Sequence, residues 1–103
     1  MALQNLFLDV NSVTVKWIVY ILECRDHSLY TGITIDIKKR LAAHRSGTAS
    51  KYTRSRLPVR LVYQERCSSR PDALRRETMI KEMKRSDKLD LIAGRCGGDA
   101  ETR

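Results

Sequence analysis

From Trp17 to Cys24 the chain reads WIVYILEC, a run of β-branched, aromatic and aliphatic side chains interrupted by one charge, Glu23. A strand with one wet face alternates apolar and polar residues, whereas a run this continuous suits a strand buried on both faces. It is therefore expected to be the central strand of a sheet. With 103 residues the chain has material for a single modest core. Its 42% hydrophobic and 31% charged residues are the proportions of an ordinary globular domain and exclude a disordered or collagenous chain.

The remaining elements follow from turn and capping signals. Arg25-Asp26-His27-Ser28 is a turn cluster, and Ser28 to Ile33 resumes strand-like residues, so the two runs form a hairpin. Thr34 reads as the N-cap of a helix from Ile35 to Arg45, in which Ile37 and Leu41 share a face and Gly47 stops the helix. Ser46 to Pro58 is a polar, basic loop, and Val59 to Glu65 alternates as a third strand. Ser69 caps a helix with Pro71 and Asp72 in its first turn that runs to about Arg85 with Leu74, Ile80 and Met83 as its apolar residues; a short helix, Asp87 to Ala93, follows. The order β-β-α-β-α-α describes an α+β domain, a small three-stranded antiparallel sheet flanked by helices. Residues 1–15 read as an N-terminal extension with a short apolar patch at Leu6 to Leu8, 16–93 as the folded domain and 94–103 as a mobile tail.

Twenty Lys and Arg against twelve Asp and Glu give a net charge of +8. So positive a field points to a polyanionic partner, nucleic acid ahead of acidic membrane. The charge is concentrated: Lys38, Lys39, Arg40, Arg45, Lys51, Arg54, Arg56 and Arg60 fall in one window with no acid among them. Tyr52 sits within that window, where it could stack on an unpaired base or pack on the sheet edge. Cys24, Cys67 and Cys96 are too few and too widely spaced for a disulfide framework. Cys24 and His27 could begin a zinc site, but no second pair follows, and a turn histidine is the simpler reading. The N-terminus has neither a basic leader nor a long apolar stretch, which points to a cytoplasmic protein and no membrane partner.

Five residues stand out once the elements are placed. Tyr20 lies mid-strand and Tyr30 on the second strand, so the hairpin can bring both phenols towards one end of the sheet; each taken singly is an ordinary core tyrosine. Arg40 and His44 are four apart on one helical stripe that borders the core side. Glu77 falls between Leu74 and Ile80 on the apolar face of its helix. A carboxylate there needs an arginine, a metal or another partner, and an ion pair with Arg40 is the structural alternative to a metal. Two phenols, a guanidinium, an imidazole and one inward carboxylate suit hydrolysis of a phosphodiester. Mg²⁺ keeps most of its waters and can be held by one carboxylate, arginine offsets phosphate charge, and a phenol or imidazole takes a proton from water.

Val19-Tyr20-Ile21, Tyr30-Thr31-Gly32, Arg40-Leu41 with His44, and the lone Glu77 together resemble the GIY-YIG nuclease domain. The stretch KYTRSRLPVRLVY and the following RRE-containing helix resemble in particular its short stand-alone bacterial members, which are relatives of the UvrC nuclease domain and of eukaryotic junction-resolving nucleases. The resemblance spans residues 17 to 93. It implies an endonuclease acting on DNA, with structure-specific cutting in repair or recombination among the activities open to it, and a single Mg²⁺ or Mn²⁺ ion. Tyr30 would be the base or its activator, Tyr20 would orient water and phosphate, Arg40 would stabilise the phosphate, His44 would assist proton transfer and Glu77 would hold the metal. Lys38, Lys39, Arg45, Lys51, Tyr52, Arg54, Arg56 and Arg60 would bind the nucleic acid. The chain departs from the motif in having Thr31 in the second triplet, Ile33 where UvrC-like domains carry a lysine, and no asparagine after Glu77. A weakly cleaving or non-catalytic nucleic-acid-binding module of the same fold is the alternative.

Overall fold

A computed structural model of the chain describes residues 16–94. The extension and the tail foreseen at the two ends lie outside the described residues, apart from Gly94. The elements run β1 (Trp17–Glu23), β2 (Leu29–Thr34), α1 (Ile37–Arg45), α2 (Lys51–Arg54), β3 (Arg60–Cys67), α3 (Arg70–Glu82) and α4 (Arg85–Ala93). The three strands form one antiparallel sheet in the order β2-β1-β3, with the apolar run in the centre. This is the expected α+β architecture.

Because β1 is buried on both sides, its alternating residues feed two separate cores. Val19 and Ile21 pack with Ala73 and Ile80 of α3 and Leu91 of α4. Tyr20 and Leu22 pack, with Cys24 and Val59, against Ile37 and Leu41 of α1. Fully buried aliphatic side chains contribute about 1.5–3 kcal/mol each relative to exposure, so one strand of seven residues anchors helices on both faces. Between Ile21 and Leu22 the pairing with β3 shifts register by a bulge. The turn between β1 and β2 puts His27 at φ 67°, with its Nδ1 3.1 Å from the Glu23 carboxylate, so it is a turn residue.

Several boundaries differ from the sequence reading. Thr34 does not cap α1: it is the buried last residue of β2, and its hydroxyl accepts from the Asp36 amide at 3.1 Å. Asp36 is the cap, accepting from the Lys39 amide, and α1 begins two residues late at Ile37, leaving Ile35 56% exposed in the corner. Threonine and aspartate are both good caps, and the sheet pairing of Thr34 with Ile18 decides between them. The stretch assigned to a loop contains the single turn α2, capped by the Ser50 side chain. On α3 the core position belongs to Ala73, while Leu74 is more than one-third exposed. α3 also ends at Glu82, earlier than foreseen, and α4 starts at Arg85. Gly47 follows α1 at φ 83°, the left-handed conformation that ends a helix.

One pair in the sheet is sterically locked. Gly32 lies opposite Tyr20, and a Cβ on Gly32 would sit 2.6 Å from the Tyr20 hydroxyl oxygen and 2.8 Å from its Cζ. Its φ is not positive, so glycine is required here by space and not by backbone conformation. Gly32→Ala is expected to cost about 1–3 kcal/mol, the usual range for overpacking a close-packed core. Adding Tyr20→Phe should recover part of that loss by removing the nearest atom. Chemical denaturation of the two variants checks this, and a Gly32→Ala protein as stable as wild type would show that the site has slack.

Candidate active site

The β1–β2 register fixes where the tyrosines meet. Tyr20 pairs with Gly32 and Leu22 with Tyr30, so both phenols stand on the same face, two residue steps apart. Their ring centroids are 6.4 Å apart. α1 crosses the same face and delivers His44, buried beside both, at 5.8 Å from the Tyr20 ring and 5.2 Å from the Tyr30 ring, edge-on in each case. The Tyr20 hydroxyl lies 2.8 Å from His44 Nε2. The other ring nitrogen, Nδ1, lies 2.9 Å from the hydroxyl of Thr53 on α2. The sequence reading missed Thr53; its only signal was a small hydroxyl beside Tyr52 in a basic segment.

Burial dominates the electrostatics. Tyr20 is 2% exposed, and its hydroxyl is held well above the ordinary phenol value chiefly by desolvation. Tyr30 and Glu77 push it the same way, and Arg40 opposes them. The fields of Arg40 and Glu77 therefore both reach the Tyr20 oxygen, although the two residues come from helices on opposite sides of the sheet. His44 is held below the ordinary histidine value, first by burial and then by the Arg40 charge, so it is neutral at pH 7.

Arg40 is exposed and lines a cleft of about 440 Å³ with Thr34, Ile35, Asp36, Lys39 and Ala43. Glu77 does not pair with Arg40. Its carboxylate meets Lys81 at 3.2 Å, with 17% of the Glu77 side chain and 55% of the Lys81 side chain exposed. The inward placement foreseen for Glu77 thus holds in part, between Ala73 and Ile80, while its partner is a lysine from the next turn. Among the described residues no group of three or more His, Cys, Asp or Glu is gathered as a metal cage. Glu77 is the acid whose field reaches Tyr20, so a divalent ion at this site would rest on one carboxylate and keep most of its waters, as Mg²⁺ tolerates.

The basic window is more varied in space than in sequence. Arg56 donates through Nε to Asp26 at 3.1 Å and Arg60 meets Glu23 at 2.7 Å, so the hairpin supplies acids that the window itself lacks. Lys38, Lys39, Arg45, Lys51 and Arg54 are exposed and, among the described residues, form no ion pair. Tyr52 is 38% exposed, with the Tyr30 ring stacked against it at 5.9 Å between centroids and the Arg56 guanidinium 3.8 Å from its centroid. A nucleobase stacking on the face that Arg56 covers would have to displace the guanidinium.

Residues 16–90 match the family model described as the GIY-YIG catalytic domain. A UPF0213 protein of Staphylococcus haemolyticus is 50% identical over 80 residues, 78% of this chain and 98% of that one. Another, of Syntrophus aciditrophicus, is 55% identical over 75 residues, 72% of this chain and 86% of its own. The solution NMR structure of a UPF0213 protein from Bacillus halodurans is similar at 43% identity and a TM-score of 0.52, over 80% of this chain and 87% of that one. A second NMR structure, of an E. faecalis protein, is 30% identical with a TM-score of 0.56, over 85% of this chain and 94% of that one. Two tyrosines facing one imidazole, an arginine on α1 and a half-buried glutamate on α3 occupy the matched span, and the chain belongs to the GIY-YIG catalytic domain family, alongside its short UPF0213 relatives.

Proposed function

We propose that the protein is a divalent-metal-dependent endonuclease that hydrolyses phosphodiester bonds in DNA. The observation that carries this reading is the buried hydrogen bond between Tyr20 and His44, set where the fields of Arg40 and Glu77 meet. A module that only binds would need the basic surface and have no use for a neutral imidazole aimed at a phenol.

The proton path follows from which groups are bonded. Tyr20 has a proton acceptor, His44 Nε2, whereas among the described residues the Tyr30 hydroxyl has no hydrogen-bond partner. The base role therefore moves from Tyr30, where the family resemblance put it, to the Tyr20–His44 pair. A standing Tyr20 phenolate is disfavoured by burial. The proton of the attacking water passes to the Tyr20 oxygen as Tyr20 passes its own to His44, the water oxygen bonds to phosphorus, and the leaving oxygen takes a proton from solvent. Tyr20 stays neutral throughout. Tyr30, more open, orients the water and phosphate, and Arg40 offsets phosphate charge from the cleft. A Mg²⁺ or Mn²⁺ ion held by Glu77 would supply charge stabilisation for the leaving oxygen.

Three results are expected. The rate of metal-dependent DNA cleavage should rise with pH below about 6.5 and level off near neutrality, because the acceptor is His44 in its neutral form. A Tyr20 phenolate as base would instead give a rate still climbing above pH ~10. Tyr20→Phe should lose about 10²–10⁴-fold in rate, the usual contribution of a general base, and Tyr30→Phe less. The folded-state value of His44 is below its unfolded value, so its neutral form adds stability that is present above about pH 6.5 and is lost as pH falls through the folded value.

Glu77→Gln should abolish cleavage, spare most DNA binding, and leave the unfolding temperature equal or higher in EDTA, because the pair lost is with a largely exposed lysine. Clear destabilisation with cleavage intact would end the metal-ligand role. Binding itself should weaken with salt at a log–log slope of about −4 if about four phosphates of duplex DNA are neutralised. Lys39→Glu should weaken binding more than Arg60→Glu, since Arg60 is already paired with Glu23. Titrations across salt concentrations with both variants test this, and equal effects would mean that the Glu23 pair opens on binding.

A further inference from the structure

His44 can accept from Tyr20 only if its proton is on the other nitrogen, and the surroundings of that nitrogen decide the matter. Thr53 is fully buried and lies 2.9 Å from His44 Nδ1. Its hydroxyl has an acceptor of its own one turn back, the Ser50 carbonyl at 3.4 Å. If the Thr53 proton points to Ser50, the threonine oxygen is left to accept, and Nδ1 must carry the hydrogen. The other end of the chain agrees. Among the described residues the Tyr20 hydroxyl has His44 Nε2 as its sole hydrogen-bond partner, so a hydrogen on Nε2 would leave the Tyr20 proton with no acceptor in a buried site. The run Tyr20 O–H to Nε2, Nδ1–H to Thr53 and Thr53 O–H to Ser50 satisfies every group, and the reverse does not.

We infer that Thr53 is a positioning residue that holds His44 in the Nδ1–H tautomer, so that Nε2 is always presented to Tyr20 as a proton acceptor. Threonine suits the task because it is neutral. It orients the ring without the charge by which a carboxylate would stabilise the imidazolium and fill the acceptor in advance. Its backbone is set by α2, where the Ser50 side chain accepts from the Tyr52 amide at 3.1 Å and from the Thr53 amide at 3.4 Å. The tautomer assignment stands on hydrogen bonding alone, and its role in catalysis rests on the proton path proposed above.

The test uses the full chain labelled with ¹⁵N. It has two histidines, and the exposed His27, identified by His27→Gln, is an internal reference. At about pH 8, where an imidazole is neutral, two-bond ¹H–¹⁵N correlations should show His44 protonated at Nδ1 in wild type and Thr53→Ser. In Thr53→Val, or in Thr53→Ala should the valine variant fail to fold, it should shift to a mixture or to Nε2–H. The non-hydroxyl variant should also cleave DNA about 10–100-fold more slowly, the scale typical of losing a supporting hydrogen bond, at unchanged affinity, with Thr53→Ser near wild type. A wild-type Nε2–H ring, an unchanged tautomer without the hydroxyl, or full activity without it would overturn the inference. An Nδ1–H ring in a wild-type protein that cleaves no DNA would overturn the nuclease reading and leave the tautomer assignment standing.

Discussion

The site is organised around a phenol with nowhere else to go. Tyr20 is clamped between its own strand, the bare backbone of Gly32 and the edge of His44, and its hydroxyl meets the imidazole at 2.8 Å. That one contact dictates the others. The neighbouring strand needs a residue without a side chain, α1 has to cross at the height that brings its last turn to the phenol, and α2 has to supply a group for the far side of the ring. In a low-dielectric interior each unsatisfied group in such a chain is costly, which is why a chain of this kind tends to be complete or absent.

Charge enters the arrangement from outside the packed centre. Arg40 and Glu77 sit on helices of opposite faces and act on the Tyr20 oxygen with opposite signs. Neither needs to be buried with its counterpart, so the cost of sequestering an ion pair is avoided. Of the remaining basic residues, Lys39 lines the same cleft as Arg40, and Arg56 and Arg60 are tethered to hairpin acids. On the proposed reading, association with a polyanion and chemistry at one phosphate would be handled by different groups.

Much of this was legible in the sequence because it is periodic or local. The run from Trp17 to Cys24 announced a strand with two buried faces, and the i, i+4 spacing of Arg40 and His44 set them on one stripe of α1. Two features were missed, the first through a contact distant in the chain and the second although its partner is local. Thr34 has the chemistry of a cap, and pairing with Ile18 made it a strand residue. Glu77 was seen to be turned inward, but with Arg40 as the candidate structural partner, and the lysine one turn on proved nearer. The pairing of Arg56 with Asp26, 30 positions apart, and the burial of Thr53 in a polar segment have no periodic signature.

The two-sided burial of β1 separates its side chains by parity. Even positions, Ile18, Tyr20 and Leu22, belong to the layer that contains the imidazole, and odd positions, Trp17, Val19 and Ile21, belong to the layer beneath α3 and α4. On the proposed reading, substitutions in the odd set would act on the scaffold alone, and those in the even set would act on scaffold and chemistry together. Under that reading a lineage would be able to retune its thermal tolerance through the odd set without passing through variants of altered reactivity. The single backbone ribbon between the layers is where the two histories remain joined.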